Sequence, residues 1–106
     1  MNTKEEILHF LRENKSRLLS EYHLSKIGLF GSFARGESTP ESDVDILFDF
    51  DESAEDIYTL KTALKAYLTK HFGRSVDLAR EKYLKPFAKP TILQDTIYVW
   101  TAQDRI

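Results

Sequence analysis

Residues 26–50 read KIGLFGSFARGESTPESDVDILFDF, and this stretch decides the fold. Residues 26–30 form a short apolar run that Gly31 ends, which favours a buried strand over a helix. From residue 42 to residue 50, apolar and acidic side chains alternate, which is typical of a strand with one buried face. Residues 31–36 lie between the two strands and predict a turn with a short helix. The stretch therefore predicts a strand, a helical turn and a second strand.

Two longer helices are predicted on either side of this stretch. Thr3 and Glu6 form a capping-box pattern at the start of a first helix that ends around Ser20. Ser53 and Asp56 resemble a second capped start. The apolar residues that follow recur along one helix face: Ile57, Leu60, Leu64, Tyr67, Leu68 and Phe72.

The last third of the chain completes the pattern. We predict a third strand over residues 74–79, a broken helix over residues 86–95 and a last strand over Ile97–Trp100. Helices and strands thus alternate along the chain without a repeat or a linker. The order predicts a small α/β (α+β) fold, in which a mixed sheet carries its helices on one face.

Length and composition limit the class of protein. The chain has 106 residues, of which 42% are hydrophobic and 30% are charged, so we expect one folded domain spanning residues 1–106. It has no cysteine, which excludes disulfides, a thiol nucleophile and cysteine-ligated zinc. No apolar run is long enough to cross a bilayer, and the N-terminal residues lack the pattern of a signal peptide. We therefore expect a cytoplasmic protein without a membrane partner.

The net charge of −2 conceals a strongly acidic segment. Residues 41–56 contain eight acids and no lysine or arginine, and apolar residues are interleaved with the acids. A disordered acidic tail would lack those apolar residues, so the acids are held on folded structure. Asp49, Asp51, Glu52 and Glu55 are interpreted as the solvated end of the strand and the start of the next helix.

Three aspartates in the predicted strands suggest a cation site. Asp43 and Asp45 are two residues apart, so a strand would hold their carboxylates side by side, about 6 to 7 Å apart. Asp77 lies between Val76 and Leu78 in an apolar strand, where an unpaired charge would be costly, and we place it at the same site. Hard oxygen ligands at this spacing suit Mg²⁺ or Mn²⁺, as in two-metal phosphoryl or nucleotidyl transfer.

Gly31 and Ser32 follow a strand and begin a short helix, where free N–H groups and a hydroxyl can hold phosphate oxygens. Arg35, one turn later, would add positive charge toward a triphosphate, or instead form a surface ion pair with Glu37 or Glu41. A P-loop is excluded because Glu37 stands where that motif requires lysine.

These residues resemble a known family. Gly31-Ser32, ten further residues and Asp43-Val44-Asp45 match the G-S-x10-D-x-D signature of the minimal nucleotidyltransferase (MNT) domains in the DNA polymerase β-like superfamily. The resemblance implies that Gly31 and Ser32 bind the triphosphate of ATP and that Asp43 and Asp45 hold two Mg²⁺ ions. It also implies that Asp77 is a general base or an auxiliary metal ligand.

The resemblance extends to the acceptor. Stand-alone MNT proteins resemble the antitoxins of HEPN/MNT pairs, which transfer AMP onto a tyrosine of a HEPN ribonuclease toxin. We expect the same of this chain, in a hetero-oligomer with its toxin. Two alternatives stay open: an antitoxin that acts by binding alone, and nucleotidyl transfer to a small hydroxylated molecule. Homodimerisation also stays open.

A basic stretch with aromatic residues interleaved is a further candidate site for nucleic acid. Its bases are Arg80, Lys82, Lys85 and Lys89. The overall negative charge argues against nucleic acid as the main partner. An acidic protein, the triphosphate or plain solvation of the segment remain as explanations of this stretch.

Overall fold

The computed structural model describes residues 1–101, so the last five residues of the predicted domain lie outside the described residues. Four strands form one mixed sheet in the order β3-β2-β1-β4. Their bounds are β1 Leu24–Phe30, β2 Val44–Phe50, β3 Val76–Arg80 and β4 Ile97–Trp100. Strand β1 pairs antiparallel with both β2 and β4, whereas β2 and β3 run parallel. The predicted mixed sheet is confirmed.

Within the described residues, five helices accompany the sheet: α1 Lys4–Glu13, α2 Lys15–Ser20, α3 Gly31–Arg35, α4 Ile57–Phe72 and α5 Lys89–Asp95. A single turn of 3₁₀ helix, Glu81–Tyr83, follows β3. None of the helices in residues 1–101 has the length and apolarity that a membrane span requires.

The predicted first helix is in fact two helices. The prediction was wrong at Asn14, where the backbone leaves the helical conformation between α1 and α2. The Asn14 side chain donates to the Phe10 carbonyl at 2.8 Å and accepts a hydrogen bond from the Tyr67 hydroxyl at 3.1 Å. A tertiary contact with α4 therefore accompanies a break that local apolar spacing did not indicate.

The start of α4 also corrects one detail. Asp56, not Ser53, caps this helix: its carboxylate accepts a hydrogen bond from the Thr59 N–H at 3.1 Å. Ser53 instead donates to Asp51 within the preceding turn. The capping box at the start of α1 is confirmed, because Thr3 Oγ1 accepts from the Glu6 N–H at 3.1 Å.

The two faces of β2 have different roles. Val44, Ile46 and Phe48 belong to the main core, which also contains buried residues of α1, α2 and α4. Asp45 and Asp49 alternate with them and therefore point to the opposite face of the sheet. The period-2 pattern in the sequence is thus realised, and it directs the acidic side chains away from the helix-packed core.

Candidate active site

The register of the sheet brings the predicted site residues together. Asp45 on β2 lies opposite Asp77 on β3, and on its other side it lies opposite Phe30, the last residue of β1. Gly31 follows Phe30 directly and begins α3. The end of β1 and the starts of β2 and β3 therefore meet where these strands begin or end, and Gly31, Asp45 and Asp77 are neighbours at this edge of the sheet.

Gly31 is in close contact with the Asp45 side chain. A Cβ atom at Gly31 would lie 2.1 Å from Asp45 Oδ2, and the backbone at Gly31 has φ +74°. Both the space and the backbone conformation therefore require glycine here. The carboxylate of Asp45 consequently lies directly against the first turn of α3.

The charges at this edge influence one another. Burial is the largest cause that raises the pKa of Asp45, and together with the negative charges of Asp77 and Asp43 it brings this pKa to about 6, although Arg35 acts in the opposite direction. Asp43 and Asp77 are exposed to solvent and Asp45 is half-buried. Three carboxylates thus share one electrostatic environment, in which a bound cation would relieve their repulsion.

Asp43 lies in the loop before β2, so the prediction of a strand from residue 42 was wrong at its start. The backbone around Ser42 closes a turn instead: its N–H donates to the Thr39 carbonyl at 3.0 Å, and its hydroxyl accepts from the Thr39 N–H at 2.8 Å. Strand pairing begins only at Val44.

The donor set suits a hard divalent cation, because it consists of carboxylate oxygens alone. Asp43, Asp45 and Asp77 are the residues that could hold such an ion. In the structure, however, no group of three histidine, aspartate or glutamate side chains within residues 1–101 is placed to hold a metal ion, so these three carboxylates are not gathered around one point.

Ser32 and Arg35 both lie on α3, next to the carboxylates. The guanidinium of Arg35 donates to Glu37 at 2.8 Å and to Asp95, at the end of α5, at 3.0 Å. These hydrogen bonds raise the pKa of Arg35 above its ordinary value. The ion pair with Glu37 was the alternative that the sequence left open, whereas the one with Asp95 was not predicted. Asp95 is 60 residues from Arg35 in the chain, so no local pattern could have indicated this contact.

Residues 6–99 match the nucleotidyltransferase domain family. The chain belongs to this family. The match includes Gly31, Ser32, Asp43, Asp45 and Asp77, so the proposed site lies within the family domain.

Archaeal relatives of this nucleotidyltransferase are similar over nearly their whole length. Protein adenylyltransferase MntA of Thermococcus cleftensis is 38% identical over 99 residues, which cover 93% of this chain and 98% of the relative. A Methanocaldococcus jannaschii protein that is provisionally named a protein adenylyltransferase is 43% identical over 100 residues, covering 93% of this chain and 100% of the relative.

Two solved structures share the fold. A protein described provisionally as a minimal nucleotidyltransferase has a TM-score of 0.71 and 32% identity, and the alignment covers 87% of this chain and 92% of that one. A complex of tri-AMPylated Shewanella oneidensis HEPN toxin with its MNT antitoxin has a TM-score of 0.61 and 19% identity. That alignment covers 92% of this chain and 75% of the matched chain.

Sequence reasoning missed Arg74, which organises the loop that carries Asp43. Its guanidinium donates to the carbonyls of Ser42 at 2.9 Å and Thr39 at 3.2 Å, and it lies 4.9 Å from the ring centroid of Phe33 on α3. It also binds the N-terminal segment through the carbonyl of Met1 and the side chain of Asn2. A single arginine after a helix-ending glycine gave no sequence signal for this role.

Asp49 corrects a second interpretation. It is not a solvated strand end: its carboxylate accepts two hydrogen bonds from Arg80, and the two side chains are only 16% and 13% exposed. It also accepts the Lys82 N–H at 3.1 Å. Asp49 therefore secures the segment after β3 and lies apart from the site.

Proposed function

We propose that this nucleotidyltransferase transfers AMP from ATP to a tyrosine hydroxyl of a HEPN-type ribonuclease toxin, and so acts as its antitoxin in a hetero-oligomer. The observation that carries the proposal is the pairing of Asp45 with Asp77 beside the glycine-led start of α3. The names of the archaeal relatives and the AMPylated toxin in the Shewanella complex support adenylyl transfer to a protein. Because ATP is an intracellular substrate and the chain has no cysteine, we propose a cytoplasmic location.

In this proposal, the role of each residue of the site follows from its position. The N–H groups at the start of α3 and the Ser32 hydroxyl bind oxygens of the triphosphate. Asp43 and Asp45 would hold two Mg²⁺ ions, or Mn²⁺, and Asp77 is the third carboxylate of the site. When bound, these ions neutralise phosphate charge and stabilise the attacking and leaving oxygens.

Asp77 acts on the acceptor in this proposal, which is supported by its exposure on the edge strand β3. Its carboxylate accepts the proton of the tyrosine hydroxyl. The tyrosine oxygen then bonds to the α-phosphorus, the bond from that phosphorus to the oxygen bridging to the β-phosphate breaks, and pyrophosphate leaves. Arg35 contributes positive charge to the triphosphate when it leaves its ion pairs with Glu37 and Asp95.

The test uses ATP labelled on the α-phosphate, MgCl₂ and the HEPN-type protein encoded with this chain. We expect the label to reach the toxin with the wild type, and ATP labelled on the γ-phosphate to transfer nothing. Asp45→Asn should lower the rate at least about 100-fold, because a metal ligand is lost. Glu52→Gln, an exposed acid of the same acidic segment, is the matched control and should transfer at the wild-type rate.

The same experiment separates the two alternatives. A purely binding antitoxin predicts that even the wild type leaves the toxin unlabelled, and that Asp45→Asn and Asp77→Asn inhibit the toxin ribonuclease as well as the wild type does in a parallel assay. Transfer to a small hydroxylated molecule predicts labelled small products and an unlabelled toxin. Either result would refute the proposed reaction.

A further inference from the structure

A groove runs along the outer edge of the sheet, between α4 and the segment that follows β3. It has a volume of about 600 Å³, and its main lining residues are Tyr58, Lys61, Leu78, Ala79, Tyr83 and Leu84. A second hollow of about 490 Å³ continues from it across the outer face of α4, where Lys65 and Ala66 join Tyr58 and Lys61. Together these form one continuous surface, called here the α4–β3 groove.

The groove exposes aromatic side chains that a folded core would normally bury. Tyr58 is 82% exposed and Tyr83 is 67% exposed. With Phe87 they are the large hydrophobic residues that are exposed in the described part of the chain, and two of these three lie at the groove. Exposed aromatic residues grouped around a concave apolar surface are typical of a protein interface.

One wall of the groove is held in place by Arg80. Its guanidinium lies 4.8 Å from the ring centroid of Tyr83 and is fixed by its ion pair with the half-buried Asp49. Tyr83 is therefore positioned before any partner arrives, which lowers the entropic cost of binding.

The rim of the groove is positively charged. Lys61 and Lys65 are both exposed, and neither forms an ion pair with any of residues 1–101. Arg80 is neutralised by Asp49, whereas Lys61 and Lys65 contribute uncompensated charge at the rim. An occupant that carries acidic side chains next to an apolar surface would complement both properties.

The groove begins close to the candidate active site around Asp45 and Asp77. Ala79 lies on β3 two residues after Asp77 and on the same face of the strand, which corresponds to about 7 Å along the strand. A protein seated in the groove would therefore extend past Asp77. The position suits the docking of an acceptor protein whose hydroxyl must approach that carboxylate.

We infer that the α4–β3 groove binds the acceptor protein through a segment that presents apolar side chains flanked by Asp or Glu. This inference rests on the proposed function and specifies where its protein substrate docks. A second copy of this chain fits poorly, because a two-fold interface would bury Lys61 and Lys65 of both copies together, and the groove lining offers no acidic side chain to face them. Nucleic acid fits poorly too, because two lysines at an apolar groove supply few phosphate contacts.

The test measures binding of the HEPN-type protein to purified variants by calorimetry, separately from AMP transfer. Tyr58→Ala should weaken binding about 10-fold or more, as should the charge reversal Lys61→Glu. Phe87→Ala is the matched control, since Phe87 is also 82% exposed but does not line the groove, and its binding should be unchanged. With Tyr58→Ala, the KM for the toxin should rise about 10-fold while the KM for ATP stays the same.

Several outcomes would overturn the inference. Unchanged binding by Tyr58→Ala and Lys61→Glu would do so, as would an equal loss with Phe87→Ala or no binding by the wild type. If the wild type self-associates and Lys61→Glu changes this self-association, the groove binds a second copy of the chain. If the chain binds single-stranded RNA more tightly than the HEPN-type protein, the groove is assigned to nucleic acid. Binding that depends on the groove without any AMP transfer would refute the proposed reaction and leave the docking surface standing.

Discussion

The Asp45→Asn substitution is expected to stabilise the protein in the absence of divalent cations, although it removes a residue of the active site. Burial and the charges of Asp77 and Asp43 raise the pKa of the Asp45 carboxyl from 3.8 to about 6. The folded chain therefore binds this proton more tightly than the unfolded chain. The contribution of Asp45 to stability is thus most favourable below pH 3.8 and is lost as the pH rises to about 6.

The size of the effect follows from the shift. About two pKa units correspond to about 3 kcal/mol. Because Asp45 is only half-buried, water and salt screen part of this repulsion, and we expect about 1 kcal/mol. Asparagine has nearly the same shape and no charge, so it removes the repulsion without leaving a cavity. For a domain of this size, the gain corresponds to a rise in Tm of about 4 °C or more.

The assay is urea denaturation of both proteins in EDTA at several pH values. At pH 7.5 the variant should have the higher free energy of unfolding, and the difference should vanish near pH 4, where Asp45 is protonated in the folded wild type. Glu52→Gln, which changes an exposed acid away from the site, should alter stability by less than about 0.5 kcal/mol.

Bound ligand should reverse which of the two proteins, wild type or Asp45→Asn, is the more stable. MgCl₂ with a non-hydrolysable ATP analogue should stabilise the wild type by an amount that rises with the logarithm of the ligand concentration once the site is saturated, but should have little effect on Asp45→Asn. The reasoning would be refuted if the variant were less stable than the wild type in EDTA at pH 7.5. A stability difference independent of pH would refute it equally.

Three further substitutions test separate parts of the site. Gly31→Ala should reduce AMP transfer at least about 100-fold in initial-rate assays, because the alanine Cβ would displace the Asp45 carboxylate. The positive φ at this position also costs an alanine about 1 to 2 kcal/mol. Near-normal activity would contradict the contact between residue 31 and Asp45. Arg35→Gln should raise the KM for ATP about 10-fold. The free energy of unfolding should fall by less than about 1 kcal/mol, since the ion pairs of Arg35 are on the surface. An unchanged KM for ATP would leave Arg35 with a purely structural role. Arg74→Ala should lower the free energy of unfolding by about 2 to 3 kcal/mol in urea denaturation, because the charged hydrogen bonds of Arg74 to the loop are lost. Arg74→Lys should recover part of this free energy. An equal loss of free energy in both variants would show that the charge contributes nothing.

The sequence was sufficient for those features that depend on local pattern. The alternation in residues 44–50 predicted which side chains of β2 enter the core, and the Gly-Ser and Asp-Val-Asp motifs contain Gly31 and Asp45, which are in contact in the structure. Parallel pairing of β2 with β3 then placed Asp77 opposite Asp45, as the apolar context of Asp77 had suggested.

Features that depend on distant partners could not be predicted in the same way. The break at Asn14 involves the hydroxyl of Tyr67, which lies 53 residues further along the chain. Asp49 was interpreted as solvated because its partner Arg80 becomes adjacent only when β2 and β3 pair. The α4–β3 groove likewise requires the packing of two elements that have separate sequence signals.

The central claim is most directly tested by the intact mass of the HEPN-type partner after co-expression with this chain. We predict an added mass of one or more AMP groups on the partner, located on tyrosine by fragmentation, and an unmodified partner when Asp45→Asn replaces the wild type. An unmodified toxin that the wild-type chain still neutralises would contradict the claim and assign the antitoxin activity to binding alone.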